Sequence, residues 1–161
     1  MPFNPERFDL SQTASESFSL AEPLAGKKKI VLESNIPQGS WVKADRNMIS
    51  TVFRNLLSNA IKFTPQGGRV TLELKRLSVE NGQDCYEVSV SDNGIGIPKE
   101  RLGQLFRMDN TESTKGTANE SGTGLGLLLC YDFVIRNSGS LRAESEIGKG
   151  SRFIFTLPAM K

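Results

Sequence analysis

Asp92-Asn93-Gly94-Ile95-Gly96-Ile97-Pro98 and Gly122-Thr123-Gly124-Leu125-Gly126-Leu127 bracket the stretch on which the reading of this chain turns. Between them, residues 108–121 are polar and rich in Asn, Thr, Ser, Gly and Glu. Glycine lets main-chain N–H groups approach a ligand with no Cβ in the way. Two such clusters around a polar loop suggest backbone that closes over an anion. The second cluster runs into the apolar, helix-competent residues 125–134, so its last N–H groups would open a helix toward that anion. Either cluster alone also reads as an ordinary glycine turn.

Working outward, two strands precede the first cluster, over 69–77 and 86–91. The linker 79–84 makes them an antiparallel hairpin with Val88 and Val90 inward. Before them lies the strongest helix, capped by Asp45 and reaching about Phe63. Met48, Ile49, Val52, Phe53, Leu56, Leu57, Ala60 and Ile61 form its buried stripe, and Thr64-Pro65-Gln66-Gly67-Gly68 stops it. Nearer the start, an extended lead gives way to a helix capped by Asp9 or Ser11 and running to about Ala25. Leu10, Ala14, Phe18, Ala21 and Ala25 recur there at helical spacing, and Pro23 marks a kink or early stop. Short strands are expected over 29–33 and 40–44, around a turn at 35–39. Downstream come a short helix over 99–106, the helix from Gly126 to about Arg136, and strands over 140–145 and 151–157. This mixed order predicts an α/β two-layer sandwich, its mixed and mostly antiparallel sheet covered on one face by helices.

With 161 residues the chain is read as one domain, 1–161, with a core over 8–158. A formal charge of +2 gives no argument for nucleic acid or a membrane surface. No apolar run approaches the roughly 18 residues of a membrane span, and the first residues lack the apolar core of a signal peptide. Cys85 and Cys130 are far apart and match no metal spacing; they read as two buried free thiols and point to a reducing, cytoplasmic setting. The chain contains no histidine. Ser-His and Cys-His nucleophilic schemes are therefore excluded, as are histidine-dependent metal sites.

Asn55, Asn59 and Lys62 are spaced i, i+4, i+7 on the long helix and line one stripe beside the buried one. An amide oxygen there can ligate Mg²⁺, a hard cation that prefers oxygen, and a lysine one turn on can neutralise phosphate. The same stripe also reads as a solvated polar face. Asp92, at a strand end, can accept a hydrogen bond from the exocyclic amine of adenine; Asp-Asn-Gly is equally strong turn chemistry.

The stretch Asn55-Leu56-Leu57-Ser58-Asn59-Ala60-Ile61-Lys62-Phe63-Thr64 resembles the N box of sensor histidine kinases. Residues 92–98 resemble their first glycine box, Leu105-Phe106 their F box, and residues 122–127 their second glycine box. Gly148-Lys149-Gly150-Ser151 with Phe153 is similar to the third. Five boxes occur in the family's order and spacing, and the resemblance covers about Phe8 to Pro158, nearly the whole chain.

The resemblance implies the ATP-binding (Bergerat-type) fold shared with gyrase, Hsp90 and MutL, with ATP beneath a flexible lid at about 108–121. Carried over by position, it makes Asn59 the Mg²⁺ ligand, supported by Asn55, and Lys62 a phosphate contact. Phe63 would lie against adenine, and Asp92 would read it. Gly94, Gly96 and Ile97 would shape the base pocket, with Phe106 and Ser151 contributing. Gly122, Thr123, Gly124, Leu125 and Gly126 would offer N–H groups to phosphates, and Lys115 would be a lid contact. In hydrolytic relatives a glutamate activates water at the place of Asn55, and an amide cannot act as a general base. The implied partners are a histidine-bearing dimerisation domain and a response regulator receiver domain. This chain alone is expected to bind ATP without autophosphorylating. Where many relatives have a histidine and two glycines, it has Asn137-Ser138-Gly139.

Two other readings stay open on these residues: a serine kinase of the anti-sigma-factor type with the same fold, and a non-enzymatic nucleotide-sensing module. A dinucleotide-binding reading fails because the second cluster follows a polar loop and lacks the G-x-G-x-x-G pattern. A P-loop fails because Gly148-Lys149-Gly150-Ser151 has no glycine at the required earlier position.

Overall fold

The computed structural model describes residues 2–80, 82–107 and 126–160. Its elements follow in the order β1 (Glu6–Asp9), α1 (Leu10–Lys27), β2 (Val31–Asn35), β3 (Trp41–Ala44), α2 (Arg46–Lys62), β4 (Arg69–Leu77), β5 (Cys85–Asp92), α3 (Lys99–Leu102), α4 (Gly126–Arg136), β6 (Ser140–Glu146) and β7 (Gly150–Pro158). Five strands form one sheet ordered β2-β4-β5-β7-β6. Only β2–β4 is parallel; the other three pairs are antiparallel. The sheet packs against α1, α2 and α4, giving the expected two-layer sandwich.

The core is read from the register. One lateral row of inward side chains is Leu74, Val88, Phe155 and Leu141; the next is Leu72, Val90, Phe153 and Ala143. The α2 stripe of Val52, Phe53, Leu56 and Leu57 lies within the same core, and Phe53 meets Phe155 edge-on at 5.3 Å between ring centroids. One row further along the same face, the apolar pattern breaks: Leu32 and Val70 are followed by Asp92, Ser151 and Ser145. A polar row at the end of a packed sheet face is where a site can open.

Helix α2 forms as its sequence dictates. Asp45 caps it, accepting from the Met48 N–H at 3.1 Å, and Phe63 stands at its C-cap. The Lys28 ammonium donates to the carbonyls of Ile61 and Lys62, both at 2.9 Å. Those carbonyls belong to the last turn, which has no helical donors left.

Four expectations need correcting, the first being the helix expected over 99–106, which is only the four residues of α3, Lys99–Leu102. The lead segment contains a strand: β1 pairs antiparallel with β3 as a separate two-stranded ribbon. Helix α1 does not stop near Pro23 but continues to Lys27. Pro23 and Ser19, whose carbonyl loses its helical donor, are both exposed, so that acceptor faces solvent while Ala21 and Ala25 stay packed. Both cysteines are free, but only Cys130 is buried; Cys85, at the start of β5, is half-buried.

Candidate functional site

Strand β5 carries Asp92 to the end of the sheet, on the face that holds the core. Its Oδ1 accepts from the Gly94 N–H at 2.9 Å and the Ser151 N–H at 3.2 Å. Its Oδ2 has no hydrogen-bond partner among the described residues. Burial pushes the carboxyl above the usual carboxylate range, and the two backbone donors pull it back. A half-buried carboxylate with one oxygen fixed and the other open is a rigid acceptor for a donor brought by a ligand.

The loop after Asp92 is held on both sides. The Ile95 N–H donates to the Phe63 carbonyl at 3.2 Å, which joins the loop to the end of α2. On the other side the Gly148 N–H donates to the Ile95 carbonyl at 3.0 Å, and the Ile97 N–H donates to Ser145 Oγ at 2.7 Å. A Cβ on Gly94 would run into the Phe63 carbonyl oxygen, and one on Gly96 into that of Glu146; Gly96 also has φ +78°. Both glycines are thus required by the wedging of the loop between α2 and the β6–β7 turn.

Asn55, Asn59 and Lys62 sit half-buried on one stripe of α2. No hydrogen-bond partner engages the Asn59 amide among the described residues. Gly126 lies against Asn55: a Cβ there would sit 3.8 Å from Nδ2. The first turn of α4 is therefore brought onto the asparagine stripe. Cys130, one turn on, points its Sγ at the Val52 carbonyl at 4.0 Å. Burial pushes its thiol up to about 12 against a hydrogen bond from Asn55, so it is inert. The Lys62 ammonium lies 5.0 Å from the ring centroid of Phe63. Phe106 is engaged by protein, stacked on Tyr131 at 5.5 Å and edge-on to Phe153 at 6.4 Å.

The structure thus joins Asp92, Gly94, Ile97 and Ser151 in one cluster, links it to α2 through Phe63, and sets Gly126 on Asn55. Lys115, Gly122, Thr123, Gly124, Leu125 and the lid over 108–121 lie outside the described residues. Ser145 is the residue that sequence reasoning missed. It could have been found from the alternation of its own strand, in which Leu141, Ala143 and Ser145 share the inward face.

The described residues offer no group of three His, Cys, Asp or Glu side chains suited to a metal. What they offer is the amide of Asn59. Mg²⁺ accepts one or two protein oxygens and completes its shell with phosphate and water. The donor set therefore fits an ion held jointly with a nucleotide's phosphates, and does not fit a protein-only cage.

Residues 44–161 match the family model of histidine kinase-, DNA gyrase B- and HSP90-like ATPases. The chain belongs to this family. Among the family's characterised members it is 34% identical over 157 residues to the adaptive-response sensory kinase SasA of Synechococcus sp. (strain CC9311), covering 97% of this chain and 40% of that protein. To the sensor histidine kinase WalK of Bacillus subtilis (strain 168) it is 36% identical over 125 residues, 77% of this chain and 20% of WalK. The chain therefore spans well under half the length of these kinases. Among solved structures, the catalytic domain of the histidine kinase ThkA superposes with a TM-score of 0.77 at 29% identity, over 98% of this chain and 96% of that one. The mycobacterial sensor histidine kinase MprB shares the fold with a TM-score of 0.79 at 24% identity, over 97% and 98% of the two chains. No helix among the described residues is long and apolar enough to cross a membrane.

Proposed function

We propose that this chain is a single Mg-ATP-binding catalytic domain of a two-component sensor kinase, donating the γ-phosphoryl group of ATP to a histidine carried by another domain. Asp92 carries the reading. Its fixed carboxylate, with Oδ2 open at the polar end of the sheet face, suits the exocyclic amine of adenine. Phe63 and the loop from Gly94 to Ile97 wall that position, and Asn59, Asn55 and Lys62 extend the site along α2 toward the phosphates. Asn59 would hold Mg²⁺, which supplies charge neutralisation on the phosphate oxygens. Gly126 and the second glycine cluster would add N–H donors at the opening of α4.

The chemistry asked of these side chains is modest. Phosphoryl transfer proceeds through a loose transition state, so positioning and charge neutralisation do most of the work. Asn55 has no basic atom to activate water, which keeps hydrolysis slow and preserves the γ-phosphoryl group for its acceptor. The chain itself contains no histidine. A histidine-bearing dimerisation domain and, after it, a response regulator receiver domain are the partners this chemistry needs, in the cytoplasm where ATP is available.

Calorimetric titration with a non-hydrolysable ATP analogue, with and without Mg²⁺ and with GTP as control, tests the nucleotide reading. Saturable, Mg²⁺-assisted, adenine-selective binding is expected, and no binding would overturn it. Mixing with a histidine-bearing helical domain and labelled ATP tests the transfer. An acid-labile phosphoryl group should appear on the acceptor and not on this chain. Tight ATP binding without transfer to any such domain would leave a nucleotide-sensing module instead.

A further inference from the structure

Ser145 lies at a junction that the nucleotide reading does not explain. Its Oγ accepts from the Ile97 N–H at 2.7 Å, donates to the Gly150 carbonyl at 3.0 Å, and lies 2.8 Å from Ser151 Oγ. A serine hydroxyl has one proton and two lone pairs. The Gly150 carbonyl can only accept and the Ile97 amide can only donate, so the Ser145 proton is committed to Gly150. All three contacts form together only if Ser151 donates its own proton to Ser145. Ser151 Oγ is then left with two lone pairs and no proton to offer.

The register places this acceptor next to Asp92. Asp92 and Ser151 are directly opposed across the β5–β7 pair, and Ser145 and Ser151 across β6–β7; opposed side chains share a face with Cβ atoms about 5 Å apart. Asp92 Oδ2 and Ser151 Oγ are therefore neighbouring acceptors at the end of the sheet face. A 6-amino purine offers two amine protons to such a pair. A 6-keto purine offers a carbonyl oxygen, which is repelled by both.

We propose that Ser145, which need not touch the ligand, is a specificity-positioning residue: by consuming the Ser151 proton it keeps Ser151 an acceptor and so sets the preference for amino over keto purines. This rests on the nucleotide-binding reading above and adds to it the device that fixes the polarity of the base pocket. Without the Ser145 hydroxyl, Ser151 can turn its proton toward a purine carbonyl.

The test compares an ATP analogue with the matching inosine nucleotide, which differs at the 6-position and its adjacent ring nitrogen but lacks the 2-amino group that complicates guanine. The ratio of the two affinities is measured in wild type, Ser145→Ala, Ser145→Thr, Ser151→Ala and Ser145→Ala/Ser151→Ala. Ser145→Ala should lower the adenine preference by roughly tenfold, the scale of one hydrogen bond. Ser145→Thr keeps the hydroxyl and should retain the preference. In the Ser151→Ala background, where no hydroxyl remains to turn, Ser145→Ala should change the ratio little. A merely structural role would weaken both nucleotides by the same factor and leave the ratio intact, and that result overturns the proposal while the nucleotide reading stands. Wild type that binds neither nucleotide overturns both. If Ser145→Ala does not fold, Ser151→Ala decides alone: it must lower the preference, and an unchanged ratio refutes the acceptor assignment.

Discussion

Asp92 combines a stability cost with a binding gain, and one substitution separates them. Its carboxyl is held above the ordinary value of 3.8, chiefly by burial, so the folded state binds the proton more tightly than the unfolded state. Stability therefore falls as pH rises from about that ordinary value up to the raised one, and the cost persists above it. Asp92→Asn keeps an oxygen for the Gly94 and Ser151 N–H groups and removes the charge. It is expected to raise the Tm at neutral pH and to remove this fall in stability with rising pH from the profile. The same change turns an amide NH₂ toward an amine, and should weaken ATP binding by about 1.5–3 kcal/mol. A calorimetric Kd and a thermal melt on one sample check both halves; a higher Kd accompanied by a lower Tm would mean the carboxylate is structural. Asn59, whose amide has no hydrogen-bond partner among the described residues, is expected to act differently: Asn59→Ala should leave the fold intact and abolish most of the Mg²⁺ dependence of nucleotide binding. Equal affinities for the variant and wild type across a Mg²⁺ series would remove Asn59 from the metal's shell.

Among the elements, the junction of α4 and α2 explains a departure that the sequence alone left unaccounted for. Asn137 is buried at the end of α4, where its Oδ1 accepts from the Asp45 N–H at 2.7 Å and its Nδ2 donates to the Phe133 carbonyl at 2.7 Å. An asparagine there ties the last turn of α4 to the cap of α2. The next residue, Ser138, has φ +64° and closes α4 with its N–H donated to the Ile135 carbonyl at 3.0 Å. A left-handed residue after a helix is the usual place of glycine, and a side chain there costs about 1 kcal/mol. Ser138→Gly should therefore stabilise the protein by about that amount, a rise of roughly 2–4 °C in Tm; an unchanged or lower Tm would show that the serine side chain repays its strain. Helix α2 was legible from its cap, its stripe and its terminator, because all three are local. β4 was legible from its alternation and bounding glycines. β1 was not, because four residues show too little alternation and the strand exists only through β3, across the whole of α1 and β2.

Across the whole molecule, the order and periodicity of the elements were enough for the two layers, while the boxes were named from the resemblance to sensor histidine kinases. The sheet order was not readable, since β2–β4 and β5–β7 join strands that are not neighbours in sequence. For the same reason the alternation of its strand could put Ser145 on the inward face but could not reveal its role. Its importance comes from a register that places it beside Ser151 and within reach of Ile97.

The Phe63 carbonyl, shared between the end of α2 and the loop after β5, also bears on the order in which the protein assembles. Helix α2 can form within its own seventeen residues. The base pocket needs Ile95 docked on Phe63 and Ser151 docked on Asp92, the latter pair 59 residues apart in the chain. Contacts that close such long loops come late in folding. Nucleotide should therefore have little to grip in the folding transition state, and its stabilisation should appear almost wholly as slower unfolding. In stopped-flow experiments a saturating ATP analogue is expected to leave the refolding rate nearly unchanged while lowering the unfolding rate. A comparable acceleration of refolding would instead place the pocket in the folding nucleus.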